Sequence, residues 1–485
     1  MLLFGRGSRE GAVPLRVAIE TRGRTRQWSA ALQLLREGVQ LGVQVFPCHY
    51  VATVGACRRG GQWQHALSVL SEMWDAKLEP NLISYSVGIS ACEKGEQWQR
   101  ALALLNEIWE AKLEHNVISY NAGISACEKG EQWQRALALL SEMREAKVEP
   151  SAISYNAGIS ACEKGEQWQR ALALFGEMRE AKLVLDVISY NAAISACEKG
   201  EQWQRALALL SEMREAKVEP DVISYNAGTS ACEKGEQWQQ ALALLGEMWE
   251  TKLEPDVISC SAGVSACEKG EQWQRALALL SEMREAKLEP VSFSYSAGIS
   301  ACEKGRQWQR ALALLSEMWE AKLEPDVVSY NAGISACEKG EQWQRAVALL
   351  NEMWTARLEP NVISCSAGIS ACATGKQWQR ALALLSEMWE AKLEPNVISY
   401  NSGISACEKG DQWQRALALL REMREAELEP NVISYNVGIR ACGTGEQWQR
   451  ALALITEMWE AKLEPNAISY SAGISACEKG EQWQR

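Results

Sequence analysis

The chain has 485 residues, of which 47% are hydrophobic and 23% charged, and its formal net charge is −12. That much apolar material supports a buried core throughout and excludes an intrinsically disordered chain, while the acidic total disfavours approach to a phosphate backbone unless the charge is unevenly placed. No run of about 18 apolar residues is present, nor a signal peptide with a positive start, apolar middle and small-residue cleavage site, so the sequence predicts a soluble chain.

The opening segment is rich in arginine: Arg6, Arg9, Arg16, Arg22, Arg24 and Arg26 stand against Glu10 and Glu20. Residues 1–11 fit the remnant of an organelle-targeting peptide, or the stretch is the diverged cap of a repeat array; both readings stay open. From Ala12 onward a 35-residue unit recurs without insertion. Two degenerate copies cover 12–81 and keep a tryptophan in register as Trp28 and Trp63. Eleven clear copies cover 82–466, and a cut-off copy occupies 467–485.

Within the copy Val187–Asp221, the first half predicts a short helix that buries Ile188, Tyr190, Ala192, Ile194 and Cys197. Gly200 comes next, a residue suited to the left-handed conformation that ends a helix. The second half carries Trp203, Ala206, Leu207, Leu209, Leu210 and Met213 at helical spacing, and Pro220 closes the unit. One hairpin cannot bury both its faces, so neighbouring units must stack. The predicted fold is all-α, an α-solenoid in the form of a right-handed superhelix of helix pairs.

The sixteen cysteines read as core residues. Thirteen, from Cys57 to Cys477, recur one unit apart in the phrase SAC or a close variant; no CxxC pair occurs, and His49, His65 and His115 are the only histidines. No zinc site of usual spacing can be assembled, and a reducing compartment suits the thiols. The fourteen tryptophans from Trp28 to Trp483 at one repeat position are expected to pack helices rather than to stack on bases. Seven others (Trp74, Trp109, Trp249, Trp319, Trp354, Trp389 and Trp459) alternate with arginine, which predicts a half-exposed position that accepts either amphipathic side chain.

The unit resembles the pentatricopeptide repeat. The resemblance rests on the VISYN opening (Val397 to Asn401), the ALALLSEM second helix (Ala381 to Met388), the LEPD or LEPN close (Leu323 to Asp326, Leu428 to Asn431) and the unslipped 35-residue period. It implies first helices on a concave face, second helices outside, and a protein of organelle RNA metabolism in a chloroplast or mitochondrion that binds single-stranded RNA, one base per repeat.

In that family two side chains read each base, here the fifth and the last residue of each unit. The fifth is asparagine or serine in all eleven clear copies, and the last is aspartate, asparagine or serine in ten. The resemblance implies that Ser86 with Asn116 reads adenine, Asn121 with Ser151 cytosine, and Asn156 with Asp186, Asn191 with Asp221 and Asn226 with Asp256 uracil. Ser261 with Val291 is left open. Ser296 with Asp326 implies guanine, Asn331 with Asn361 a pyrimidine, Ser366 with Asn396 adenine, and Asn401 with Asn431 and Asn436 with Asn466 pyrimidines. The implied target is 5′-ACUUUNGYAYY-3′. The competing reading of the last residue is a helix N-cap, and the two roles are compatible.

The resemblance further implies that bases are clamped by the second residue of each unit: Ile83, Ile118, Ile153, Ile188, Ile223, Ile258, Phe293, Val328, Ile363, Ile398 and Ile433. Core packing is their alternative. Phosphates would meet Lys94, Lys129, Lys164, Lys199, Lys234, Lys269, Lys304, Lys339 and Lys409, each of which also reads as a solvated turn lysine. No cofactor, metal or small-molecule substrate is implied, and no HxE with a following CxxC appears, so any catalytic activity would come from protein partners or from a tail beyond Arg485. The other function class is an α-solenoid protein-binding scaffold, whose acidic surface would suit a basic partner.

Overall fold

The computed structural model describes residues 9–479 except 115 and 357, with side chains from Leu15 onward. Residues 1–8 of the arginine-rich opening, His115, and residues 480–485 with Trp483 lie outside the described residues. Among those described there are 27 helices and no strand, the first being Arg9–Arg24 and the last Ala467–Lys479. Apart from the first, every helix is 13 residues long.

The local chemistry of the repeat explains these boundaries. At the first helix Val222–Lys234, the Asp221 carboxylate accepts the backbone N–H of Ser224 at 2.9 Å, and the Ser224 hydroxyl accepts the N–H of Asp221 at 3.1 Å. This reciprocal capping box satisfies two donors that a helix start otherwise leaves open. Second helices have no side-chain cap; the glutamine before them donates its amide back to the glycine two residues earlier, as Gln202 does to the Gly200 carbonyl at 3.0 Å.

The helix stop differs from expectation. Gly200 is right-handed (φ −84°), and Glu201 after it takes the left-handed conformation at φ 55°. The N–H of Gln202 then reaches back to the Cys197 carbonyl at 2.9 Å, closing the turn. Second helices end the same way, with Lys217 at φ 58° and Val218 N–H on the Met213 carbonyl at 3.0 Å. A non-glycine residue there costs on the order of 1 kcal/mol. Only the degenerate copies put glycine in this conformation, at Gly42 and Gly61. Gly200 is needed for another reason: a β-carbon on it would lie 2.3 Å from Cδ1 of Trp168, on the preceding repeat's second helix.

Two compact bodies are formed, Met1–Gly235 and Glu236–Arg485. Within each, a first helix such as Val187–Lys199 or Val327–Lys339 lies against its own second helix, the preceding second helix and the neighbouring first helices. Among the described residues of each body, the backbones of second helices do not approach one another. First helices therefore form the tightly stacked inner layer of each body and second helices the splayed outer one. The core between the layers holds the residues the periodicity selects, with Tyr190, Ala192, Ile194, Cys197, Ala206, Leu209, Leu210 and Met213 buried. Ile188 is a correction: it is 63% exposed, because the first turn of the helix points its second residue away from both layers. Burial pushes thiols such as those of Cys127 and Cys302 up to about 11, so these are inert rather than nucleophilic.

Candidate nucleic-acid interface

Three recurring side-chain sets lie near the ends of the first helices. The first is the pair formed by the fifth and last residues of a unit, 30 positions apart in sequence. The Asn191 amide donates to the Asp221 carboxylate at 3.0 Å, and Asn121 donates to the Ser151 hydroxyl at 3.2 Å. Asn156 with Asp186, Asn331 with Asn361, Asn401 with Asn431 and Asn436 with Asn466 make the same bond at 3.4 to 3.5 Å. The last residue is also the N-cap of the next first helix: Asn116, Ser151, Asp186, Asp221, Asp256, Asp326, Asn361, Asn396, Asn431 and Asn466 each accept the N–H of the serine three residues on. Val291 caps nothing.

That capping serine, at the third place of every unit from Leu82 onward, is a member of the site which sequence reading passed over. Its hydroxyl bonds the asparagine oxygen of the previous repeat at 2.5 Å in Ser154 with Asn121, Ser224 with Asn191 and Ser364 with Asn331. The spacing of an N-cap and a serine three residues later was the available signal. Fifth-position serines behave differently: Ser86, Ser261, Ser296 and Ser366 turn back onto their own helix carbonyls four residues earlier. At Asn156 and Asn401 the side-chain oxygen is buried with no partner, an open acceptor beside the pair. Asn226 is half-buried.

Electrostatically, burial of Asp221 opposes its charge. The Ser224 N–H, the Asn191 amide and the Ser224 hydroxyl outweigh that burial and hold the carboxyl below its ordinary value. Asp186 is lowered in the same way, with burial opposed by Ser189 and Asn156.

The second set is the row of second residues. Ile83, Ile118, Ile153, Ile188 and Ile223 in one body, and Ile258, Phe293, Val328, Ile363, Ile398 and Ile433 in the other, are 54% to 64% exposed. Core packing, the competing reading of this row, is thereby excluded. Ile468 continues the row at 56%. A regular line of large apolar side chains left in water at the starts of the first helices is a surface arranged for something to cover.

The third set is the lysines. Lys129, Lys164, Lys199, Lys234, Lys304 and Lys339 each pair with a glutamate of the preceding repeat, at 2.6 to 3.1 Å: Glu93, Glu128, Glu163, Glu198, Glu268 and Glu303. They form a ladder of ion pairs between neighbouring repeats rather than a row of unopposed charges. Lys94, exposed, follows a degenerate copy with Arg58 where the glutamate would be, and at Lys409 that place is Ala373. Lys269 is half-buried.

The in-register tryptophans lie elsewhere. Trp133 lies against Gly165, whose β-carbon would meet its Cδ1 at 2.3 Å, and Arg170 stacks on its ring at 4.8 Å. Trp168 with Gly200 and Arg205, and Trp308 with Gly340 and Arg345, repeat the arrangement. Each of these rings is thus occupied by its own neighbours, as a packing role requires. No group of His, Cys, Asp and Glu among the described residues is placed to hold a metal ion, and no helix among them is long and apolar enough to cross a membrane.

Known proteins share this architecture. The crystal structure of the pentatricopeptide repeat protein PPR10 from maize is 19% identical, with a TM-score of 0.57 over 97% of this chain and 77% of that one. PPR10 in complex with an 18-nt psaJ RNA element is also 19% identical and superposes at 0.52 over 99% and 78%. At this identity the likeness is one of fold. No curated protein sequence matches the chain. Family profiles do match along most of its length: the pentatricopeptide repeat domain at 33–94, 243–305, 295–339 and 348–411, the PPR repeat family at 115–164, 185–228 and 395–444, and the PPR repeat at 153–183 and 328–358. With this repeat period, this α-solenoid and these profiles, the chain belongs to the pentatricopeptide repeat family.

Proposed function

We propose that the protein binds single-stranded RNA along the ends of its first helices, one nucleotide per repeat, and serves organelle RNA metabolism without a chemical step of its own. The observation that carries this reading is the exposed aliphatic row beside the hydrogen-bonded polar pairs. An apolar side chain above and below a flat base, with a polar pair at its edge, supplies stacking and hydrogen-bond selection together. The maize relative was crystallised with an RNA element, which supports the same direction.

In this reading Ser86 to Asn466 select 5′-ACUUUNGYAYY-3′, Ile83 to Ile433 clamp the bases, and lysines such as Lys129 exchange a glutamate for a phosphate. About 1 kcal/mol per base over eleven repeats sums to near-nanomolar affinity before ordering costs. Processing, stabilisation, splicing, editing or translation would follow from the bound site and from partner proteins.

The test is fluorescence anisotropy of the full chain at fixed moderate salt against labelled ACUUUAGCACC RNA, a scrambled version and the DNA equivalent. A strong preference for the first is expected, and Asn191→Ser with Asp221→Asn should move the preferred base in that repeat toward adenine. Equal weak binding to all three would sink base reading and leave the protein-binding scaffold as the better account.

A further inference from the structure

The outer layer carries another recurring arrangement, independent of the nucleic-acid reading. Near the end of each second helix from Trp63–Asp75 onward stands the arginine-or-tryptophan position. At Arg144, Arg214, Arg284 and Arg424 the guanidinium lies over a tyrosine of the next first helix: Arg144 is 5.7 Å from the Tyr155 ring centre and 3.2 Å from its hydroxyl, and Arg424 is 5.6 Å and 2.9 Å from those of Tyr435. The same guanidinium pairs with a glutamate on the next second helix, Glu177 for Arg144, Glu317 for Arg284 and Glu457 for Arg424. Ring, hydroxyl and carboxylate together form a seat for one guanidinium.

Where the position is tryptophan, the seat is altered. The Trp319 ring stays 48% exposed, beside Tyr330 in the same groove. Glu352, at the place of Glu177, forms no ion pair among the described residues. The nearby Arg345 stacks on Trp308 at 5.1 Å instead. Between the second helices lies an open groove of about 220 Å³ lined by Trp319, Tyr330, Arg345 and Glu352. In the other body, Trp74, Tyr85, Arg100 and Glu107 line a groove of about 740 Å³. Glu107 likewise has no ion pair among the described residues, and burial beside Glu110 raises its carboxyl above the ordinary value. The same sequence trio recurs at Trp109, Tyr120 and Glu142, and at Trp389, Tyr400 and Glu422.

We infer that these tryptophan-type grooves are docking slots for arginine side chains of a basic peptide, whose guanidinium pairs with the vacant glutamate and stacks on the exposed indole. The chain's own arginines mark the chemistry, since they fill the equivalent seat in other repeats. Tryptophan is the strongest aromatic partner for a cation, and a planar guanidinium stacks and pairs at once, which an ammonium does not. The net charge of −12 draws a basic segment toward the surface.

The test compares two labelled peptides on the full chain by anisotropy, one of alternating arginine and glycine and one of alternating lysine and glycine. Their affinity ratio is insensitive to net charge. The arginine peptide should bind roughly fivefold to tenfold more tightly. In the variant carrying Trp74→Arg, Trp109→Arg, Trp319→Arg and Trp389→Arg the ratio should fall to about one, because each slot is then filled from within, as at Arg144. A thermal melt records folding, and if that variant does not fold, Glu→Gln at 107, 142, 352 and 422 gives the same readout. A ratio near one in the natural protein, or one kept in a folded variant, would overturn the inference.

Discussion

Two first helices, Val222–Lys234 and Ser292–Lys304, differ at the residue before them. Asp221 caps its helix and holds the Asn191 amide, whereas Val291 caps nothing and is 43% exposed. Both helices nevertheless run 13 residues, and both bury their tyrosine and cysteine, Tyr225 with Cys232 and Tyr295 with Cys302. The cap contributes to the repeat without being required by it. A position that the fold can do without is free to vary for recognition, whereas the glycine wedged against the preceding tryptophan is not.

The contrast can be tested by substitution. Gly200→Ala should be the most damaging, since its β-carbon would stand 2.3 Å from Trp168 Cδ1 and 2.9 Å from Trp168 Cβ, and the latter cannot swing away. A loss of about 2 to 3 kcal/mol in urea unfolding is expected, and a loss below that of a removed cap would break the comparison. Asp221→Val and Val291→Asp should be mirror images, the first losing and the second gaining about 1 kcal/mol. If base reading holds, Val291→Asp should also make that repeat discriminate among the four bases, which competition anisotropy would detect.

The smallest effect concerns pH. The carboxyl of Asp221 sits below its ordinary value when folded, so its contribution is complete above the unfolded value of about 3.9 and is lost as pH falls through the lower folded value. Asp221→Asn keeps a cap, as Asn116 does, and should lessen the acid-side loss of stability without changing it near neutrality. Melting temperatures between about pH 2.5 and 7 would show this. An unchanged acid limb would mean the carboxylate contributes no more than an amide.

Much of the fold was legible in the primary structure. The period of 35 predicted the helix pairs, and the apolar spacing selected Tyr190, Ile194, Cys197, Leu209 and Met213 as core. It misplaced Ile188, because a helix buried on most sides shows no clear polar stripe to say which apolar residue is left out. The glycine's purpose was hidden for a related reason: its partner Trp168 belongs to the previous copy, and a single unit read alone suggests only a helix stop. The lysine ladder was equally invisible, since Lys164 and Glu128 are 36 apart and meet only when two copies stack. What single-unit periodicity cannot contain is the chemistry between units.

Contacts in each body join only neighbouring repeats, and those repeats are nearly copies of one another. A helix pair that detaches while the chain collapses meets, one repeat further on or on another chain, a surface almost identical to its own. Misregistered and end-exchanged assemblies are then close competitors of the native order during folding. Refolding is expected to slow and to yield dimers as protein concentration rises, which light scattering after dilution from urea would follow. Cysteine stands in place of the buried repeat tyrosine at Cys260 and Cys365, and arginine alternates with tryptophan at Arg144 and Trp109, so successive joints are unequal. Such exchanges give each repeat a faint address in an otherwise monotonous chain.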